Sequence, residues 1–260
     1  MACVSAPDLP SGSPLRISAS GFMAYLDCPS LFGARLDGKY GAESLASFRG
    51  ALAHAVFARH LEGGEIAYHE FDNVCRRAIG GSVINYKMAN LGLGITGVRE
   101  TIAEVGEMYQ RFKKLPSDGF RSSEVHLEVG FGDDVTLLGR IDAVYDDAGG
   151  GVRLVDWKSG DLGSVGQQLN FYALLWWKGT GSVPETIEAF SVQSGEQFRA
   201  HPTVADVQAT AAQVTELVRT IRHSEEANEP LGRVPGMYCQ YCPILSECSE
   251  GQAAARVASA

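Results

Sequence analysis

The sequence predicts an α/β fold, a β-sheet flanked by helices, and three observations carry that expectation. Val135 to Gly160 holds two runs rich in β-branched and aliphatic residues, joined by Asp146-Asp147-Ala148-Gly149-Gly150-Gly151, which is strong turn chemistry and reads as a hairpin. Ser122 to Phe131 alternates as a strand, with Val125, Leu127 and Val129 on one face and Glu124, His126 and Glu128 on the other. Apolar residues at helical spacing recur on both sides of this strand-forming block, before it at 47–61 and 98–114 and after it at 167–178 and from 203 onward.

Taken in order, residues 1–14 are rich in Pro, Ser and Gly and are expected to be disordered. A helix signal follows, with Ser18 or Ser20 as its cap and Phe22, Met23, Tyr25 and Leu26 as its apolar positions; it ends near Cys28-Pro29. Ser47 to Leu61 is a second amphipathic helix, stopped by Gly63-Gly64, with Gly50 and His54 four apart on one face. The stretch 65–115 reads as a helical insertion whose clearest part is Val98 to Lys114. Gly92 to Gly97 matches G-x-G-x-x-G, but no strand precedes it, so it is a helix connection rather than a dinucleotide site. The core spans about 120–200. It includes a helix from Gln167 to Lys178, closed by Gly179, with Gln168 and Tyr172 on one face, and a strand from Thr186 to Gln193. Thr203 and Asp206 form a capping box for a long helix that breaks at Glu225 to Pro230. A cysteine-bearing segment completes a single domain of residues 15–250, and 251–260 is expected to fray.

The chain has 260 residues, is 45% hydrophobic and 20% charged, and carries a net charge of −9. That balance excludes a generally basic protein that coats DNA without specificity, although Lys87, Arg99, Arg111, Lys113, Lys114 and Arg121 are candidates for a local basic rim. No apolar run is long enough to span a bilayer and no signal peptide opens the chain, so a cytoplasmic location is expected. In that compartment six cysteines read as metal ligands rather than disulfides. No Walker A motif is present, so the chain is not itself a helicase motor.

Asp142 and Asp156 fall one on each strand of the hairpin, and Asp156 and Lys158, two apart, share a strand face. Carboxylates on half-buried strands are costly unless paired or bound to metal. An ion pair at a strand end is one reading; a divalent-cation site built from two Asp and a Lys is the other. Cys239, Cys242 and Cys248 give C-x2-C-x5-C, with Cys28 as the candidate fourth ligand, since proline follows it as it follows Cys242. Cys3 and Cys75 lack such context. Four thiolates alone do not separate zinc from an iron–sulfur cluster.

The ordered set Gly139-Arg140-Ile141-Asp142, then Val155-Asp156-Trp157-Lys158-Ser159-Gly160, then Gln168-Leu169-Asn170-Phe171-Tyr172 resembles the PD-(D/E)XK nuclease superfamily. The nearest branch is that of RecB/AddB-type nuclease domains and small CRISPR-associated exonucleases, and the resemblance runs from about Ser18 to Cys248. It implies a restriction-endonuclease-like core with a central mixed sheet, an N-terminal helical portion and a C-terminal cysteine segment closing onto Cys28. It also implies that His54, within G-x-x-x-H, joins Asp142, Asp156 and the main-chain carbonyl of Trp157 as ligands of Mg²⁺ or Mn²⁺. Lys158 then orients or deprotonates the attacking water. Gln168 and Tyr172 lie along the DNA backbone or support that lysine, and Glu124, ahead of Glu128, is the acidic residue lining the site from the first strand. Cys28, Cys239, Cys242 and Cys248 hold a [4Fe–4S] cluster, with structural Zn²⁺ as the alternative.

The function so implied is a metal-dependent DNA exonuclease on single-stranded DNA or DNA ends, in recombination, repair or phage DNA processing, with a helicase or recombination protein as partner. Two other classes compete with it. One is a non-catalytic iron–sulfur DNA-binding subunit of a repair or CRISPR-adaptation complex; the other is a zinc protein with an unrelated metallohydrolase activity.

Overall fold

The structure is a computed structural model that describes residues 9–258. Residues 1–8, with Cys3, lie outside the described residues, as do the last two. The remainder of the start, expected to be disordered, is instead tied down. Leu9 packs on the main core, the Gly12 N–H donates to Asp134 Oδ2 at 2.5 Å, and the Ser13 carbonyl accepts from Arg222 Nη2 at 2.5 Å. Arg222 is buried and also meets Asp134 and Glu225, so a charge cluster anchors the segment.

Strand β1 (Leu15–Ser18) stands where only a helix start was foreseen. Ser18 ends it and caps α1 (Ala19–Asp27), its Oγ accepting from the Gly21 N–H at 3.0 Å. Cys28 separates α1 from α2 (Pro29–Leu36), whose first residue is the proline that a helix start tolerates. Helix α3 (Leu45–Gly63) is capped by Ser44. The insertion consists of α4 (Tyr68–Ile79), α5 (Ser82–Asn90) and α6 (Ile95–Phe112), with the glycine motif in the α5–α6 turn and the start of α6. Then follow β2 (Phe120–Gly130), β3 (Val135–Asp146), β4 (Val152–Lys158), α7 (Val165–Thr180), β5 (Thr186–Ser191), β6 (Gln197–Ala200) and α8 (Val204–Ala227). The Thr203–Asp206 capping box is formed.

Two helix ends differ from expectation. Helix α7 runs through Gly179 and closes on Gly181, which takes the left-handed conformation (φ 79°); an interior glycine costs only about 1 kcal/mol and does not stop a helix by itself. The tail beyond Cys248 is not frayed but forms α9 (Ser249–Ala258). Its alanines favour helix, and Gln252 Nε2 fastens it by donating to the carbonyls of Leu245 and Ser246, each at 3.0 Å.

The six strands form one mixed sheet in which β3 is central. Strand β2 runs antiparallel along one edge of β3. The other edge is divided between β1, parallel over Val135–Leu138, and β4, antiparallel over Ala143–Asp146. β4 then departs to pair with β5 through Lys158. This leaves a fork between residues 139 and 142 of β3, with Asp142 at its apex.

Two apolar layers enclose the sheet. One joins α1, α7 and α8 to Leu137, Ile141 and Leu154; the other joins α3, α4 and α6 to Ala143, Tyr145, Val155 and Trp157. Ile141 and Ala143 thus face opposite layers, so the alternation of β3 slips at Asp142. Across the ladder, Glu124 takes φ 50°, a left-handed conformation rare for a non-glycine residue and costing about 1–3 kcal/mol.

Helix α7 crosses β3 at Gly139, where an added Cβ would lie 2.5 Å from Leu175 Cδ1 and 3.1 Å from Tyr172 Cε1. Gly139→Ala is therefore expected to lower unfolding free energy by about 1–3 kcal/mol through overpacking, read as a fall in the urea midpoint at unchanged slope.

Candidate active site

The fork gathers seven of the polar side chains singled out from the sequence: His54, Glu124, Asp142, Asp156, Lys158, Gln168 and Tyr172. Asp142, from its apex, and Asp156, on the diverging β4, are both buried. His54 comes from α3 on one side of the sheet, its Nδ1 3.1 Å from Asp142 Oδ1. Gly50, one helical turn earlier, makes that approach feasible: a Cβ there would sit 2.9 Å from Ser159 Oγ, so it is the loop after β4 that fills the space. The other oxygen of Asp142 accepts from the main-chain N–H of Trp157 at 2.7 Å.

Lys158 projects from the same strand face as Asp156, with Nζ 2.8 Å from Asp156 Oδ2. It also donates to Gln168 Oε1 at 2.7 Å, and Gln168 Nε2 lies within donating distance of Asp156 Oδ1 (3.2 Å) and Tyr172 OH (2.8 Å). The amide of Gln168 therefore fixes the lysine relative to the carboxylate from α7, one turn from Tyr172. Glu124 reaches the same centre from β2: one ligand atom each of His54, Glu124 and Asp142 lies within 4.8 Å of the others. Asp156 stands outside that threefold set, engaged with Lys158 and Gln168. Glu128 is drawn away by a bidentate pair with Arg16 at 2.8 and 2.9 Å.

Three carboxylates crowd the fork, each beside a cationic side chain: Asp142 by His54, Asp156 by Lys158 and Glu124 by Arg140. Burial works against the His54 cation, yet Asp142, Asp156 and Glu124 hold its pKa up at about 9. Burial, then repulsion by Asp142, lifts Asp156 to about 6 against the pull of Lys158. Burial would raise Asp142 too, but His54, the Trp157 N–H and Lys158 keep it below the ordinary carboxylate range. Glu124 is raised by burial in spite of Arg140, and the Tyr172 phenol is raised by burial and by Asp156, so it stays neutral. Asp156 Oδ2 is buried and, although Lys158 is close, has no hydrogen bond of good geometry. Three carboxylates drawn to one fork beside an imidazole, with one buried carboxylate oxygen lacking a hydrogen bond, fit a divalent cation.

Arg140, within the G-R-I-D motif, reaches the site as well. Its Nε pairs with Glu124 Oε2 at 2.9 Å. It lines two cavities, of about 550 and 380 Å³, that both border His54. The signal was present: Arg140 precedes Asp142 by two, the spacing that links Asp156 to Lys158. The suggested basic rim fares differently. Lys87 pairs with Glu43, Lys113 with Glu65 and Arg121 with Asp146, while Arg111 donates to the carbonyls of Val192 and Gln193; these four brace the fold.

At the opposite end of α1, Cys28, Cys239, Cys242 and Cys248 line one small cavity of about 20 Å³. Each sulfur accepts a backbone N–H, from Val234 (3.4 Å), Gly236 (3.3 Å), Ile244 and Gly251 (3.3 Å) respectively. The segments are stitched together by Ser30 Oγ donating to the Leu231 carbonyl at 2.6 Å and Tyr238 OH to the Asp27 carbonyl at 2.6 Å. Cys75 is buried elsewhere, in the helical layer.

Among the described residues no helix is long and apolar enough to cross a membrane. No curated protein matches the chain. Solved structures similar to it include the following two. A "putative exonuclease" from Eubacterium rectale has a TM-score of 0.56 at 16% identity, over 84% of this chain and 84% of that one, a likeness of fold. The protein SSO0001 covers 92% and 88% at 13% identity with a TM-score of 0.43, too loose to carry an argument. The model of the PD-(D/E)XK nuclease superfamily matches residues 16–249, nearly the whole described chain. With the hairpin carboxylates, the lysine and the mixed sheet in place, the chain belongs to the PD-(D/E)XK nuclease superfamily.

Proposed function

We propose that the protein is a metal-dependent DNA exonuclease acting on single-stranded DNA or DNA ends. The observation that carries this reading is the convergence of His54, Glu124, Asp142, Asp156 and Lys158 on one fork, bordered by two cavities. His54, Asp142 and Asp156, with the Trp157 carbonyl, hold Mg²⁺ or Mn²⁺, and Glu124 completes or steadies the set. Oxygen donors suit magnesium and the imidazole admits manganese. When bound, the cation supplies Lewis acidity toward the scissile phosphate and acidifies a bound water. Lys158, held by Gln168, orients or deprotonates the attacking water and offsets charge developing on the phosphate. Tyr172 holds Gln168 in register.

Incubation of the pure protein with end-labelled single-stranded DNA, with Mg²⁺, Mn²⁺ or EDTA, tests this. Cation-dependent release of end-label is expected; binding without cleavage under every condition would leave a non-catalytic DNA-binding subunit as the better reading. The two cavities that meet at His54 and Arg140 suit a strand passing across the site, with Arg140 touching its backbone. Arg140→Ala is expected to weaken single-stranded DNA binding and lower the slope of log K against log salt by about one, measured by anisotropy over a salt series.

The four cysteines support a [4Fe–4S] cluster of the RecB/AddB-type branch. Four thiolates suit a four-iron cube as they suit one tetrahedral zinc, and the solitary, remote Cys28 set against the closely spaced Cys239, Cys242 and Cys248 favours the cube. Backbone N–H groups aimed at all four sulfurs suit charged thiolates. The same reading carries a role in recombination, repair or phage DNA processing, beside a helicase or recombination protein.

A further inference from the structure

The cavity of about 380 Å³ opens on the helical side of the fork and shares His54, Glu124 and Arg140 with it. Small residues form much of its wall: Ala51 and Ala55 from α3, Ala78 from α4 and Gly81 just before α5. The remaining side is α5 itself, through Val83 and Ile84. Two residues of α5 hold it in place. Ile84 is buried in the helical layer. Lys87 Nζ donates to both carboxylate oxygens of Glu43, at 2.8 and 2.9 Å, and to Ser47 Oγ at 2.8 Å, which fastens α5 to the start of α3.

Val83 and Tyr86 point the other way. They are three apart, hence neighbours on one helix face, and are 67% and 65% exposed. Val83 stands at the cavity, and Tyr86 extends the same face by one turn. Among the described residues Tyr86 makes no hydrogen bond and no ring contact, so its ring is open to solvent. A single exposed apolar side chain needs no account. Here two of them flank a cavity that leads to the candidate metal ligands.

We propose that α5 guides a single DNA strand into the fork: one nucleotide occupies the 380 Å³ cavity beside Val83, and the next base outward stacks on Tyr86. Continuity with the fork decides the occupant, because the cavity ends at His54, Glu124 and Arg140, the last a cation suited to a phosphate. The volume lies within the roughly 300–1,000 Å³ of sites that hold one small ligand, so a nucleotide fits and a base pair does not. An unpaired base offers its π face to Tyr86, whereas a base inside a duplex keeps that face covered by its neighbours. The arrangement therefore selects single strands. The inference rests on the exonuclease reading and adds to it the residues that set strandedness.

Fluorescence anisotropy of the full chain in EDTA, with a labelled oligo(dT) single strand and a labelled blunt hairpin duplex, tests the proposal. Tyr86→Ala is expected to weaken single-strand binding about tenfold, the size of one lost base–aromatic stack, at an unchanged salt slope and with duplex binding unaltered. Tyr86→Phe keeps the ring and is expected to bind like the wild type. Val83→Glu sets a negative charge at the cavity and is expected to weaken single-strand binding by a similar factor. Both positions are exposed, and circular dichroism checks that the variants fold. Wild-type single-strand affinity in Tyr86→Ala or in Val83→Glu overturns the proposal. So does an equal loss for single strand and duplex, a loss in Tyr86→Phe as large as in Tyr86→Ala, or a wild-type protein that binds no single strand. Release of end-label with Mg²⁺ is read separately. A protein that holds the strand through Tyr86 yet releases no label keeps the guide and loses the exonuclease reading; one that releases label and binds DNA equally well as Tyr86→Ala does the reverse.

Discussion

Lys158→Ala is expected to lower DNA cleavage by about 10³-fold while leaving the fold intact and DNA binding nearly unchanged. The magnitude follows from the role: one preorganised charged donor aimed at developing charge is worth about 10²–10³ in rate, and a lysine that also positions or deprotonates water adds to that. Because the interaction strengthens only as charge develops, the loss should appear in kcat rather than KM. The fold should survive because Lys158 is partly exposed at the end of β4, outside the two apolar layers. Lys158→Arg should not restore activity, since a planar guanidinium cannot reproduce a compact ammonium held 2.8 Å from Asp156 and 2.7 Å from Gln168. Single-turnover cleavage of end-labelled DNA, with circular dichroism and anisotropy on the same preparations, measures all three quantities; wild-type cleavage by the alanine variant would remove the lysine from the mechanism.

The second large effect concerns stability. Cys28→Ser is expected to abolish the visible absorbance of the purified protein, deplete its bound iron and sulfide, and lower the melting temperature substantially. Ligation of a structural metal contributes on the order of 10 kcal/mol to folding in small domains. In the proposed cluster Cys28 is the one ligand from the N-terminal side of the chain, facing cysteines beside α9 and the short 3-10 turns across one cavity. Without it the C-terminal segment is left with the Ser30 and Tyr238 hydrogen bonds and the Arg233–Glu250 pair, an exposed contact of the kind that contributes about 0–1 kcal/mol. Elemental analysis and thermal melts under anaerobic conditions provide the check. An unchanged melting temperature with unchanged metal content would exclude Cys28 as a ligand, and zinc in place of iron would identify the alternative occupant.

The two expectations differ in how they arose. The Lys158 argument was readable from spacing alone: two residues on a strand share a face, and Asp156 and Lys158 do meet. The same spacing sets Arg140 two before Asp142, but its partner Glu124 lies on another strand, so spacing alone does not reveal the pair. Alternation failed in one place, at Asp142, where β3 slips and Glu124 turns left-handed. A period-two pattern cannot register such a slip, because the cause is the fork between β1 and β4, formed by chain segments remote in sequence. Strands β1 and β6 were missed for a related reason. Each is four residues long, too short for a periodic signal, and exists because a neighbouring strand offers it a ladder.

What the amino-acid sequence determined by itself is local: the hairpin with its two aspartates and lysine, the α7 pair Gln168 and Tyr172, the capped helices, and a cysteine spacing that demands a fourth partner. These follow from side-chain period, turn chemistry and ligand count, which depend only on near neighbours. Long-range contacts alone bring Glu124 and Arg140 to one fork, spend most of the expected basic rim on internal pairs, and tie residues 9–14 to Asp134 and Arg222. Charge pairing, burial and close approach depend on which distant segments meet, and only the folded chain settles that.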